Sequence, residues 1–215
     1  MNYKMRKSPQ VFIAILLVFT SCSPTFKTKW TEETAPEYFK ARFETTKGNF
    51  DIEAKREWSP AGVDRLYQLI KRGFYTDIAI FRVVPDFVAQ FGISSDSISN
   101  DAWRTIKVND EPVVKTNTKG TISFARGGPQ TRTTQIFINL KSNSPRLDNL
   151  MSAGIKGFPV VAEITSGMDV VENFYDEYGN ALGRKQDSIR MFGNTYLRQN
   201  YPEVDYIVKA YILKK

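Results

Sequence analysis

Apolar residues along this chain fall into short runs, many of them β-branched or aromatic, separated by turn residues. Residues 41–45 and 49–54 are two such runs on either side of Thr46-Lys47-Gly48, the spacing of a β-hairpin. The period then changes. Ser59-Pro60 sets a capping hydroxyl before a proline at the first helical position, and Val63, Leu66, Tyr67 and Ile70 follow on one helical face. Lys71, Arg72 and Gly73 predict the end of that helix, with cations against the negative end of the dipole and a glycine free to turn left-handed. Strand-like runs return at 78–84, 87–91, 121–125, 135–140, 160–165 and 206–213. A second helix is predicted from Ser166 or Gly167 to Phe174, with Met168, Val171 and Phe174 or Tyr175 turned inward. Residues 187–200 carry an amphipathic stretch (Ile189, Phe192, Tyr196, Leu197) that predicts a short extra helix stopped by Pro202. The count of eight strands and two main helices predicts a mainly β fold. Helices that follow strand pairs, rather than alternating with single strands, suit an antiparallel barrel or sandwich with helical plugs, not a doubly wound sheet.

The amino terminus follows another pattern. Residues 1–9 are basic, and residues 11–19 form an unbroken apolar run of nine, where a spanning helix needs about 20. A basic flank, a short apolar run and small residues read as a secretory signal over 1–21. The segment ends Phe19-Thr20-Ser21-Cys22. That is similar to the lipobox of bacterial lipoproteins, in which the cysteine is lipidated through its sulfur and becomes the mature first residue. Phe19 stands where leucine is usual. A plain signal peptide with an incidental thiol, and an uncleaved anchor, are the alternatives. On the lipoprotein reading the protein is exported and lipid-anchored in the bacterial cell envelope, facing the periplasm. Residues 22–38 are polar with prolines at 24 and 36 and read as a tether, leaving 39–215 as the folded domain.

Composition narrows the chemistry. The 215 residues include no histidine and a single cysteine, Cys22. Histidine-based nucleophilic triads, His-ligated zinc, imidazole acid–base catalysis and an intrachain disulfide are all excluded. Neither a metal nor a cofactor is expected. Net charge is +7, of which +3 belongs to residues 1–21, and the remainder is too small and too scattered to predict a nucleic-acid partner.

Two longer stretches, IFRVVPDFVAQFG at 80–92 and TISFARGGPQTRTTQIFINL at 121–140, carry a recognisable pattern. With Lys47-Gly48-Asn49-Phe50, Ala162-Glu163-Ile164 and Gly167-Met168-Asp169-Val170-Val171, they resemble the cyclophilin-type peptidyl-prolyl isomerases across residues 41–213. Arg146-Leu147-Asp148 and Gly193-Asn194-x-Tyr196-Leu197 resemble a bacterial subgroup of that family. The resemblance implies an eight-stranded antiparallel barrel capped by two helices, in agreement with the pattern above. It also implies an enzyme, acting on proline-containing polypeptides as a monomer and assisting the folding of exported proteins. A non-catalytic proline-peptide binding module or holdase using the same groove is the rival reading.

Such an enzyme faces a barrier of about 18–20 kcal/mol, set by amide resonance. No proton is abstracted and no covalent bond forms, so a chain without histidine loses nothing. The requirements are an apolar slot for the pyrrolidine ring, a cation for the prolyl nitrogen as it pyramidalises, and donors that favour the twisted amide. By resemblance Arg82 is the catalytic cation, and Gln90 and Gln135 orient it and bind substrate backbone. Phe87, Val88, Phe137 and Leu147 match the proline pocket, joined by Phe158 where animal members place a histidine. Ala125 and Arg126 match the pair whose backbone holds the residue before proline. Strand alternation puts Gln135 with Phe137, and Val88 with Gln90, on one face, leaving Ile136 and Ile138 for the interior. Phe87 breaks that alternation, which predicts a place at the strand start, just after Pro85-Asp86. Arg146 stands where the family often has an aromatic, Val88 is smaller than the common methionine, and 149–157 looks longer than its counterpart. Substrate preference and efficiency are where those departures would act.

Overall fold

The computed structural model describes residues 26–214. The predicted signal, Cys22 and the start of the tether lie outside them. Strand β1 (Tyr38–Thr45) and strand β2 (Gly48–Lys55) form the hairpin, in register from Tyr38 opposite Lys55 to Thr45 opposite Gly48. Its inward positions are Phe39, Ala41, Phe43, Phe50, Ile52 and Ala54, all buried. Phe43 and Phe50 face each other across the strands and stack with ring centroids 4.9 Å apart, a cross-strand pair of the kind that stabilises sheets by up to about 1 kcal/mol.

Helix α1 (Pro60–Lys71) lays Val63, Leu66, Leu69 and Ile70 into the core, and Gly73 turns left-handed just beyond it at φ +69°. Its amino-terminal cap differs from expectation. Ser59 makes no side-chain cap bond. Its hydroxyl donates instead to Glu111, whose carboxylate accepts from the backbone N–H groups of Ala61 (2.7 Å) and Gly62 (3.1 Å). A full negative charge from a distant loop does the capping that a local hydroxyl was predicted to do.

Strands β3 (Ile78–Ala79), β4 (Arg82–Val84) and β5 (Val88–Phe91) follow, then helix α2 (Ser97–Thr105) and strands β6 (Thr121–Phe124) and β7 (Ile136–Asn139). A one-turn helix α3 (Arg146–Asn149) and the two-residue strands β8 (Met151–Ser152) and β9 (Ile155–Lys156) lead to strand β10 (Val160–Ser166). Helices α4 (Met168–Glu172), α5 (Gly179–Gly183) and α6 (Gln186–Asn200) precede the last strand, β11 (Tyr206–Ile212). The main sheet has nine antiparallel strands in the order β3-β11-β1-β2-β10-β6-β7-β5-β4.

Nine rather than eight strands arise because the run predicted at 78–84 is broken. Residues 78–79 pair with β11 at one edge of the sheet, residues 82–84 pair with β5 at the other, and Ile80 and Phe81 join them. Two edges linked by two residues oblige the sheet to curl round on itself. Counted as one bent strand, the segment restores the expected eight.

Residues 26–37, read as part of the tether, are docked. Phe26 and Trp30 pack on Trp103 of α2 at 5.1 and 6.5 Å between ring centroids, and the Ala35 N–H donates to Asp64 of α1 at 2.9 Å. Glu33 forms ion pairs with Lys71 and with Arg72, the latter at 2.5 Å. The extra helix α6 breaks at Gly193 (φ +59°, ψ −155°), a conformation essentially confined to glycine. Ile189 and Leu197 are buried on either side of the break, whereas Phe192, predicted on the same face, stays 58% exposed.

Candidate active site

Strands β5 and β7 are buried on both faces. Ala89, Phe91, Ile136 and Ile138 point into the barrel core, while Val88 and Phe137 join Leu147 in a separate small cluster with Phe87, Ala125 and Phe158 at its margin. Pairing sets the second face in order: Arg82 lies opposite Gln90, and Gln90 opposite Phe137. Phe87 directly precedes β5, after a turn whose Asp86 is left-handed (φ +57°) and whose Phe87 N–H donates to the Val84 carbonyl at 3.0 Å. Pro85 presets one corner of that turn, and aspartate tolerates the other.

A cleft of about 160 Å³ opens over this face. Its lining brings together Arg82, Phe87, Val88, Gln90, Ala125, Arg126, Phe137, Leu147 and Phe158. Gln135 lies beside it, lining an adjoining pocket. Cys22 lies outside the described residues. Phe137 and Phe158 meet edge to face at 5.6 Å. The guanidinium of Arg82 lies 5.5 Å, and that of Arg146 5.1 Å, from the Phe87 ring centroid. Arg146 therefore presents a planar cation to the phenyl ring at the position where the family often has an aromatic. Arg126 stands 4.8 Å from the Phe158 ring centroid and donates to the Gly157 carbonyl at 2.7 Å.

Polar side chains form a continuous chain behind the cleft. Arg82 Nη1 donates to Gln90 Oε1 (3.0 Å), Gln90 Nε2 to Gln135 Oε1 (2.9 Å), and Gln135 Nε2 to Gln186 Oε1 (3.0 Å). The Nε of Arg82 donates to Asn180 Oδ1 at 2.8 Å. Gly183 leaves room for the arginine stem, since a Cβ there would come within 3.0 Å of Arg82 Cδ. Burial lowers the Arg82 pKa below its ordinary value, and a guanidinium remains charged at neutral pH. Among the described residues its Nε and Nη1 are engaged and Nη2 is left for a ligand.

Asn180 and Gln186, on α5 and α6, were not singled out from the sequence, because an isolated amide on a surface helix carries no signal there. Nor were Asn117, Asn139 and Asn143. These three buried asparagines hydrogen-bond to one another, and Asn143 Nδ2 donates to the Phe87 carbonyl (2.9 Å) while Asn117 Nδ2 donates to that of Phe158 (2.9 Å). They fix both aromatic walls of the cleft through the backbone, at the low cost of a fully satisfied polar network.

The family model described as "Cyclophilin type peptidyl-prolyl cis-trans isomerase/CLD" matches residues 40–192. The chain belongs to the cyclophilin-type isomerase family. Among its relatives, peptidyl-prolyl cis-trans isomerase B of Escherichia coli is 28% identical over 171 residues, covering 78% of this chain and 95% of the relative. A peptidyl-prolyl cis-trans isomerase of Acinetobacter baylyi is 28% identical over 146 residues, covering 66% and 75%. A Cryptosporidium parvum cyclophilin-type isomerase, crystallised in the presence of the dipeptide Ala-Pro, superposes with a TM-score of 0.57 at 16% identity, over 82% of this chain and 99% of that one. The cyclophilin-type match ends inside α6, so the rest of that helix and β11 lie beyond it, although β11 pairs with β1 in the barrel.

Proposed function

We propose that this cyclophilin-type isomerase rotates X-Pro bonds of exported polypeptides at the cleft over β5 and β7, and that it is held to a membrane of the bacterial cell envelope by lipid on Cys22. The observation that carries the catalytic part is Arg82, clamped through Nε and Nη1 beside an apolar slot with Nη2 free. The prolyl ring enters between Phe87, Phe137, Leu147 and Phe158. As the amide twists, conjugation is lost and the nitrogen lone pair becomes a hydrogen-bond acceptor, which Arg82 meets with a donor already in position. Gln90 and Gln135 keep the guanidinium from swinging away and offer polar contacts to the peptide backbone. Because the planar amide offers no such acceptor, the interaction favours the transition state over both ground states. One preorganised donor of this kind is worth about 10²–10³ in rate.

Export and lipidation rest on the basic flank, short apolar run and cysteine of residues 1–22. Exchange NMR on a short Ala-Pro peptide tests the catalytic part: the protein accelerates cis–trans exchange and Arg82→Ala removes most of the acceleration. Binding without acceleration would instead identify a proline-peptide binding module. Mass spectrometry of the native amino terminus tests Cys22, where a diacylated or triacylated cysteine is expected and an unmodified thiol would refute the anchor.

A further inference from the structure

Next to the proline slot lies a larger pocket of about 400 Å³ that shares Gln90, Ala125 and Arg126 with it. Its character is different. Four cations line it, Arg104 and Lys107 from α2 and the segment after it, Arg126, and Arg190 from α6, and no carboxylate is among the lining residues. The acids nearby engage from outside. Asp101 reaches Arg104 only at 3.5 Å, and Asp187, almost fully exposed, holds Arg190 at 2.6 Å. Asp110 exerts a favourable field on Arg126, but its carboxylate accepts from the Gln130 N–H. Lys107 finds only a backbone carbonyl, that of Arg104, at 2.9 Å.

The cations also oppose one another. Burial lowers the Arg190 pKa and the field of Arg104 lowers it further. Arg126 Nη1 and Arg190 Nε are buried and make no hydrogen bond among the described residues. Like charges gathered round an open volume, with donors unspent, are stabilised by an anion that enters it.

We infer that this pocket receives an acidic side chain of the substrate, two residues before the proline. The inference rests on the isomerase reading above. Ala125 and Arg126 match the pair that holds the residue before proline, so the next residue upstream passes over them into the pocket. The preference is set by Arg104, Lys107 and Arg190, which are brought to the cleft by α2 and α6.

Capped peptides of sequence Xaa-Ala-Pro-Phe, with Xaa as Glu, Gln or Lys, test this by exchange NMR on the soluble chain from Ser23 onward together with the full lipidated protein. At low salt the Glu peptide is expected to be turned over about fivefold faster than Gln, the size expected for a partly solvated charge-assisted contact. Lys should fall below Gln, and 0.5 M salt should close the gaps. Arg104→Glu should reverse the order of Glu and Lys, and Lys107→Gln, at an exposed position, should shrink the Glu/Gln ratio. Equal turnover of Glu and Gln, or a Gln preference, overturns the inference while leaving the isomerase intact. Turnover of none of the three overturns the isomerase reading itself and this inference with it.

Discussion

The two faces of β5 and β7 make an instructive contrast. One residue apart along the same strands, Phe91 and Ile138 are sealed into the main core, whereas Gln90 and Phe137 border an open cleft. The inner face is filled by side chains from every part of the barrel. The outer face is left partly empty, and its polar groups are tied to helices that arrive late in the chain, at Asn180 and Gln186. Period-two alternation separates the two tasks: substitutions inside should be felt as stability, and substitutions outside as rate.

The largest effect should come from the inner face. Phe91→Ala removes a fully buried ring and is expected to cost about 3–5 kcal/mol, seen as a lower thermal midpoint, with per-molecule activity preserved in the folded fraction. A midpoint within a degree of wild type would break the contrast. On the outer face, Arg82→Ala should lower kcat/KM about 10²–10³-fold while the thermal midpoint moves little. Equal losses in both quantities would show that Arg82 serves the fold instead.

Asn180 sharpens the comparison because it touches Arg82 but does not itself line the slot. As a positioning residue, its replacement by alanine should lower kcat about fivefold with KM nearly unchanged, the share of about 1 kcal/mol typical of one hydrogen bond. Asn180→Asp keeps an acceptor for Nε and should restore kcat. Failure of that rescue would argue for a packing role.

The smallest effect concerns pH, and there the two kinds of residue should part company. Nothing in the cleft titrates between about pH 5.5 and 9, so kcat/KM should be flat over that range, and a bell-shaped profile would contradict the mechanism. Stability should respond lower down. Burial works to raise the Asp148 pKa, but hydrogen bonds from Ser144 and Asn117 outweigh it and hold the carboxyl below its ordinary 3.8. A depressed folded pKa gives stability that is fully present above the unfolded value and is lost as pH falls through the folded one. The difference in thermal midpoint between wild type and Asp148→Asn should therefore shrink below about pH 4.

Much of this architecture could be read from residue types. The hairpin, α1 and the strand runs carry strong periodicity, and the order Arg82, Gln90, Gln135, Phe137 marks the family. What escaped reading is what depends on distant partners. Alternation within 78–84 cannot say that its halves pair with opposite edges of a sheet. Ser59 looked like a cap because the carboxylate that does the work, Glu111, lies 52 residues away. Helix α2 buries only Asn100 and Trp103, too few positions to raise a helical period, although Asp96 accepts from the N–H groups of Ile98 and Ser99 in a recognisable cap. The apolar spacing of α6 does not reveal the break at Gly193, and Phe192, just before it, faces out. Asn180 and Gln186 are legible only once the fold has carried them to Arg82.

The docking of Phe26 and Trp30 on α2 has a consequence for where the enzyme would work. An acyl group on Cys22 would be separated from Phe26 by Ser23, Pro24 and Thr25 alone, a leash of about 14 Å at full stretch. So short a leash would keep the barrel against the lipid headgroups rather than roaming the space beyond. Trp103, which receives Phe26, is followed in α2 by Arg104, which lines the cationic pocket. On the lipid-anchored reading, that rim would lie close to the membrane surface.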